Sequence, residues 1–419
     1  MIKKIISLQR LYLLDFSLNL NKNIEDKLIH AREIIPLAIP FISQDDSRVI
    51  SHWEDRYQHK WIDQVSNMGE EERFHFDGLR EFEMIEDHEW MAMISSIKHI
   101  SNTDSLETTD MEIGNIPGKK KKRYELKQLY SLLEHDKKKS IADFGGGIGN
   151  SSSFFHDQLS MRPSVFEQNE ELIKTGKKKF NKETGKIDYF NEEISSGFRH
   201  DALKSIDIGF GLHTCGNFAN YMLDSCIDSK MKKIINIGCC YSKITDDLYS
   251  ISKLSQSYGP LELNRRALSI GTLSFGPTDR LFYDFRLKIM RYKYTFYHYL
   301  FTQTGEVQFL PMSNARRSLY DLSIDEFFVK TLAKFYPEFH APSSQVINEF
   351  YQSKKNQDIL NYFEAIYSLG RYFGELIESY IILDRAQYSQ ERGYLTKIVK
   401  VFDPQVSPRC KAIILENIT

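Results

Sequence analysis

Ile141-Ala142-Asp143-Phe144-Gly145-Gly146-Gly147-Ile148-Gly149-Asn150 decides how the rest of the chain is read. The apolar run from Ser140 to Phe144 has the length and composition of a buried parallel strand. It carries an acid at its end and runs into four glycines within five positions. Ser151 to Leu159 then reads as a helix. Glycine is needed where backbone turns tightly or lets a ligand approach without a Cβ in the way. A helix that begins there points its free N–H groups at whatever binds. The stretch reads as the first strand–loop–helix of a nucleotide-binding α/β fold.

Three features narrow the ligand. No Lys-Ser/Thr pair follows the glycines, which argues against a phosphate-cradling P-loop. Asp143 lies inside the motif, where a carboxylate suits a cationic group, such as the ammonium of a methionine moiety, better than a pyrophosphate. A second strand, Pro163 to Phe166, ends at Glu167, placed to accept hydrogen bonds from ribose hydroxyls. Asp-x-Gly-Gly-Gly-x-Gly followed by a strand and Glu resembles the S-adenosylmethionine (SAM) site of Rossmann-like methyltransferases. The resemblance implies that Asp143, Gly145, Gly146, Gly147, Gly149, Glu167 and Gln168 hold the cofactor, with S-adenosylhomocysteine as its spent form.

Composition sets the outer bounds. With 419 residues, 41% hydrophobic and 27% charged, the chain has room for two or three domains and a large core. Its 55 Lys and Arg nearly balance 57 Asp and Glu, so overall charge does not advertise a nucleic-acid binder. Five cysteines, Cys215, Cys226, Cys239, Cys240 and Cys410, form no disulfide framework and read as reduced thiols in a cytoplasmic protein. No apolar run approaches a bilayer-spanning length, and the first twenty residues lack a signal-peptide cleavage site.

Four regions are expected. Residues 1–118 read as an N-terminal helical domain. Leu8, Leu11, Tyr12, Leu14, Leu18 and Leu20 recur there at helical spacing, and Trp53, Tyr57 and Trp61 are expected on one helix face. The acidic stretch Glu70 to Glu89 reads as a solvated face that repels phosphates. Residues 119–245 form the SAM-binding Rossmann-like core, entered through the basic run Lys119 to Arg123, which suits an exposed helix start or a nucleic-acid contact. Further strands are expected at Ile187 to Asn191, Ile206 to Leu212 and Lys233 to Ile237, with Asn191 meeting the adenine. Residues 246–392 read as a helical insertion that caps the site, and 393–419 as the closing antiparallel hairpin of the sheet.

Ligands of such sheets bind beyond the carboxyl ends of the strands. His213-Thr214-Cys215-Gly216 and Gly238-Cys239-Cys240-Tyr241 therefore belong to the same crevice as the glycine loop. His213 suits a general base or a cofactor contact. Cys215, Cys240 and Tyr241 complete the candidate catalytic set. Cys215, Cys239, Cys240 and His213 also form a candidate zinc set, but His-x-Cys and Cys-Cys are unlike the usual Cys-x-x-Cys knuckle and adjacent ligands strain a tetrahedral site, so no metal is expected and a zinc-bound structural cysteine site stands as an alternative.

Gly211 to Ala219 and Ile235 to Tyr241 are similar to methyltransferase-like protein 25 and its relatives. So are Lys121-Lys122-Arg123-Tyr124-Glu125, with Tyr124 where the family usually has His, and two C-terminal segments, Asp384 to Tyr388 and Phe402 to Arg409. The resemblance covers roughly residues 119–245 and 375–415. It implies a class I SAM methyltransferase, with Tyr124, Glu125, Cys239 and Arg409 on the acceptor side. The acceptor is expected to be a macromolecule, protein or peptide or RNA. A eukaryotic transfer-RNA 2′-O-methyltransferase carries a related pair of segments, ending in Cys-Cys-His-His where this chain reads Cys239-Cys240-Tyr241-Ser242. The alternatives are an enzyme of that kind, or a non-catalytic module that kept the fold.

Overall fold

The computed structural model describes residues 24–106, 116–180, 185–245, 249–273, 276–307, 317–337 and 339–417. The leucine repeat expected over residues 8–20 lies outside them.

The described sheet has eight strands: β1 (Asp104–Ser105), β2 (Ser140–Phe144), β3 (Arg162–Glu167), β4 (Asp188–Asn191), β5 (Ile208–Cys215), β6 (Lys233–Cys239), β7 (Tyr394–Lys400) and β8 (Lys411–Asn417). Their spatial order is β1-β7-β8-β6-β5-β2-β3-β4. β4, β3, β2, β5 and β6 run parallel. β8 enters between β6 and β7 and is antiparallel to both. This is the Rossmann-like methyltransferase arrangement expected from the sequence, closed by its hairpin. The two-residue β1 adds a parallel edge to β7.

β2 is buried at every position, as a central parallel strand must be. One face of the sheet rests on the helices Lys120–Leu133 and Asn150–Leu159. There Leu126, Leu129, Leu133, Phe154, Phe155 and Phe210 share one apolar cluster with Ile235, Ile414 and Phe402. The first helix keeps Lys119 to Lys121 exposed at its start and buries Glu125.

The chain forms two compact units, one of Met1–Leu37, Ser96–Phe275 and Phe373–Thr419, the other of Ala38–Ser95 and Gly276–Tyr372. The first contains the sheet. The second is built from helices and turns among its described residues. Each of the two helical regions expected from the sequence thus contributes to both units.

Within the second unit, Trp53, Tyr57 and Trp61 do not share a helix. A short 3-10 turn ends at Asp55, and a new helix, Lys60–Asn67, begins after His59, whose ring accepts from the Trp61 amide at 3.3 Å. A side chain that caps a fresh helix in this way competes with continuing the old one. Trp61 is buried against Phe41 and Trp90, so its role is packing. The acidic stretch is only partly a solvated face. Asp77 is buried and meets Arg371 at 2.6 Å, with Arg286 beside it. Burial pushes the Asp77 carboxyl up, but Arg371, Arg286 and Arg80 outweigh it and hold the pKa below the usual range. No described helix is long and apolar enough to cross a membrane.

Candidate active site

The glycine loop turns the chain from β2 into the helix Asn150–Leu159. Gly145, Gly147 and Gly149 have φ of 67°, 59° and 84°, the left-handed region in which a Cβ is strained. Gly146 is required for another reason: a Cβ there would stand 2.8 Å from the Asp143 carboxyl carbon. Asp143 is 2% exposed, and its Oδ2 accepts from the Ser152 hydroxyl at 2.7 Å. Burial is the main cause that raises its pKa to about 6, and the Glu167 charge adds to it, while Ser152 and Lys122 pull the other way.

Glu167 is placed by β3 and grips the loop from the other side. Its Oε2 accepts from the Gly147 amide at 3.1 Å and its Oε1 from the Asn169 amide at 2.9 Å. Tyr189 donates its hydroxyl to the Ile148 carbonyl at 3.0 Å, which pins the loop from β4. Gln168 is exposed next to Glu167. Asn191 donates its amide to the Glu167 and Gln168 carbonyls, tying the ends of β3 and β4 together.

The end of β5 departs from a plain strand. The strand runs on past Leu212 to Cys215, and its register with β6 shifts between Leu212 and Thr214. His213 is the extra residue of this bulge and has φ of 62°. Bulges re-aim side chains, and non-glycine residues held in the left-handed region mark sites where the surroundings over-determine the backbone. The His213 ring meets the carboxylate of Glu125, with Nε2 2.9 Å from Oε1. The same Oε1 accepts from the Ser407 hydroxyl at 2.8 Å. Burial pushes the Glu125 carboxyl up, but His213, Ser407 and Lys121 together hold it below the usual range. An ionised carboxylate only accepts, so the Nε2 that faces Glu125 carries a proton.

Tyr124, one residue earlier on the same helix, accepts the Asp403 amide on its hydroxyl at 2.7 Å. The lead-in helix and the 402–409 loop, separate in sequence, thus meet at the strand ends. Arg409 is not aimed outward. It is buried against Glu378 at 2.8 Å and donates to the carbonyls of Gly271, Thr272 and Leu273.

Cys215 and Cys239 are partners across β5 and β6, with their sulfurs 3.0 Å apart. The Cys215 thiol is pulled below its ordinary value, first by its hydrogen bond with Cys239 and against its own burial, with Cys240, Lys243 and His213 adding to the pull. Tyr241 is 1% exposed, and burial drives its phenol well up, which removes it from ready proton exchange. The structure brings Asp143, the glycine loop and Glu167 together, and likewise Glu125, His213, Cys215, Cys239 and Cys240.

Sequence reasoning did not single out Ser152, Ser407, Lys122 or Arg385. Ser152 stands two residues into the helix that follows the glycines, the position from which a hydroxyl reaches back to the preceding strand. Ser407 and Arg385 lie within the two C-terminal segments that resemble the family, but neither could be given a role, because their partners lie far away in sequence. A separate cavity of about 160 Å³, lined by Lys27, Asp104, Thr396, Lys397 and Lys411 among others, lies at the β7 and β8 side and shares no residue with this site.

A Cβ at Gly147 would meet nothing within 4 Å, so the loop is open on that side. Asp143 is a buried acid whose bonded partner is a neutral hydroxyl. A cationic amino acid moiety against it, with the glycine backbone beside, fits what the residues present.

Residues 121–247, which hold the glycine loop and strands β2 to β6, match the family model described as a methyltransferase domain. Half of the chain is similar to methyltransferase-like protein 25. The probable methyltransferase-like protein 25 of Homo sapiens is 28% identical over 246 residues, and that of Mus musculus 26% over 250. Each alignment covers 51% of this chain and 38% of the relative, so the match spans well under half of those proteins. Among solved structures, a putative RNA methyltransferase from Pyrococcus horikoshii aligns over 34% of this chain and 71% of its own at 15% identity, with a TM-score of 0.25.

Proposed function

We propose that this chain is a SAM-dependent methyltransferase that modifies a macromolecular acceptor. The observation that carries the reading is the Asp143 carboxyl, buried beneath an open glycine loop with the neutral Ser152 hydroxyl as its side-chain partner and raised to about 6 chiefly by that burial. Bound SAM would supply an electrophilic methyl group on a sulfonium.

The chain's own residues divide the remaining work. Asp143 binds the ammonium of the amino acid moiety. Gly145 to Gly149 let the cofactor approach the backbone, and Glu167 holds the loop and offers its carboxylate to the ribose. Gln168 and Asn191 stand at the adenine end. His213 takes a proton from the acceptor at Nδ1, and Glu125 positions the ring by accepting from Nε2. Cys215, Cys239 and Cys240 line the same strand ends. Reduced thiols suit a cytoplasmic setting.

A macromolecular acceptor is favoured by the amount of chain outside the sheet, which folds into a helical unit of its own. Protein or peptide is the first class, in keeping with a net charge of -2. RNA is favoured by the exposed Lys119 to Lys121 at the start of the lead-in helix. Phosphate contacts weaken steeply with salt, so retention of RNA that falls sharply from low to moderate salt would select RNA.

Calorimetric titration with SAM and S-adenosylhomocysteine tests the cofactor, on wild type and Asp143→Ala. Binding by wild type and its loss in the variant is expected. Wild-type affinity in Asp143→Ala would sink the site assignment. Binding without any labelled acceptor in a lysate would favour a non-catalytic module.

A further inference from the structure

Cys215, Cys239 and Cys240 hold their three sulfurs within 4.8 Å of one another. Two of these positions are neighbours in sequence, and along a plain strand their side chains would point to opposite faces. The fold removes that obstacle. Cys239 is the last residue of β6, and Cys240 follows with φ of 48°, in the left-handed region. That turn brings the second sulfur back to the side of the first. Cys215 reaches the same point from β5, because it is the register partner of Cys239. The bulge at His213 sets that register, since one residue more or less would turn Cys215 to the other face. Two non-glycine residues in left-handed backbone, His213 and Cys240, thus flank one cluster of three thiols.

The surroundings are built for negative charge. Arg385 is 1% exposed and donates to Asn220 Oδ1 at 2.7 Å and to the Gly216 carbonyl at 2.9 Å, both uncharged acceptors. Its Nη1 stands 2.8 Å from where a Cβ of Gly238 would be, beside Cys239. Lys243 closes the short turn that begins at Tyr241. Tetrahedral zinc with Zn–S bonds of about 2.3 Å places its sulfurs roughly 3.8 Å apart. The observed spread, from 3.0 Å to at most 4.8 Å, brackets that spacing. A zinc ion with three thiolates has one net negative charge, which Arg385 and Lys243 offset.

We propose that Cys215, Cys239 and Cys240 form a three-thiolate site for a thiophilic divalent metal, zinc, at the ends of β5 and β6. Three protein ligands leave the fourth coordination position open. The site goes beyond the methyltransferase reading and does not depend on it.

The test uses the full chain and reads metal, not methyl transfer. Protein purified without chelator is analysed for zinc by plasma mass spectrometry. Metal-free, reduced protein is then titrated with Co²⁺, and the near-ultraviolet thiolate-to-cobalt charge-transfer band is recorded. Close to one equivalent of metal is expected in wild type and in Cys226→Ala, a buried cysteine elsewhere, and below about a tenth in Cys215→Ser, Cys239→Ser and Cys240→Ser. A folded wild type with neither zinc nor a cobalt band would overturn the site. So would metal retained by all three serine variants. Should those variants fail to fold, alkylation of wild type decides: added Zn²⁺ is expected to protect the three thiols together, and equal labelling with and without Zn²⁺ refutes the proposal. A wild type isolated with a Cys215–Cys239 disulfide and no metal refutes it equally.

Discussion

His213 Nε2 lies 2.9 Å from Glu125 Oε1, across 88 residues of sequence. Glu125 comes from the second turn of the helix Lys120–Leu133, and His213 from the bulge of β5. Together they define a proton-holding pair next to the strand ends that carry the glycine loop. If this pair serves the acceptor, His213→Asn should lower methyl transfer by about 10²–10⁴-fold, with SAM affinity close to wild type. Glu125→Gln should lower it less and should move the pH profile, because Glu125 acts through the ring it orients. Single-turnover transfer across pH, with SAM binding measured in parallel, checks both. A flat, unshifted profile in Glu125→Gln would remove the positioning role.

SAM binding should depend on pH through Asp143. In the cofactor-free protein its pKa is about 6, and the bound ammonium favours the ionised form. Affinity should therefore be full above pH 7 and fall by about tenfold per pH unit well below 6. The same shift acts on stability: a folded-state pKa raised above the unfolded value means that ionisation costs stability as pH rises through 6, and that the cost is relieved on acidification. Calorimetry at several pH values checks this, with Asp143→Asn expected to bind weakly and without the pH dependence.

Gly146→Ala should cost about tenfold or more in SAM affinity, because the new Cβ would stand 2.8 Å from the Asp143 carboxyl carbon and displace it. Gly147→Ala meets no atom and pays for its backbone alone, about 1–2 kcal/mol at φ of 59°. Thermal unfolding and SAM titration on the two variants should therefore rank in opposite order, with Gly147→Ala the less stable and Gly146→Ala the weaker binder.

Breaking the Asp77–Arg371 pair should destabilise the helical unit. Asp77→Asn removes the carboxylate charge that faces the buried Arg371, at a cost of about 3–5 kcal/mol. The Asp77 pKa is held below its ordinary value, so its contribution is present above about pH 4 and lost as pH falls through the lowered pKa. Urea unfolding followed by tryptophan fluorescence, at neutral pH and near pH 3, should show a large gap between wild type and variant at neutral pH and a smaller one in acid.

The strand–glycine–helix stretch, the acid at the end of β3 and the places of the strands along the chain were legible because each is a local pattern. A run of five buried residues or a glycine cluster carries its meaning whatever the rest of the chain does. The hairpin was legible for the same reason, and β7 and β8 both fall within residues 393–419, where it was expected. The extension of β5 through His213 to Cys215 was not, because a bulge is set by the strand beside it, and β6 is not visible from β5's own residues.

Trp53, Tyr57 and Trp61 show the converse. Their spacing suits one helix, but the His59 ring caps a new helix start, and a single side-chain hydrogen bond overrides a weak periodic signal.

From sequence alone came the class of fold, the glycine loop with Asp143 and Glu167 beside it, and the segments that meet at the strand ends, since these rest on backbone preferences and short-range spacing. Tertiary structure alone decided the pairing of His213 with Glu125 and Ser407, the burial of Arg409 against Glu378, and the meeting of three thiols. It also decided that Ala38–Ser95 and Gly276–Tyr372 fold as one unit. Those outcomes depend on which distant surfaces bury each other and which buried charges find partners, and nothing local to a residue encodes its partner.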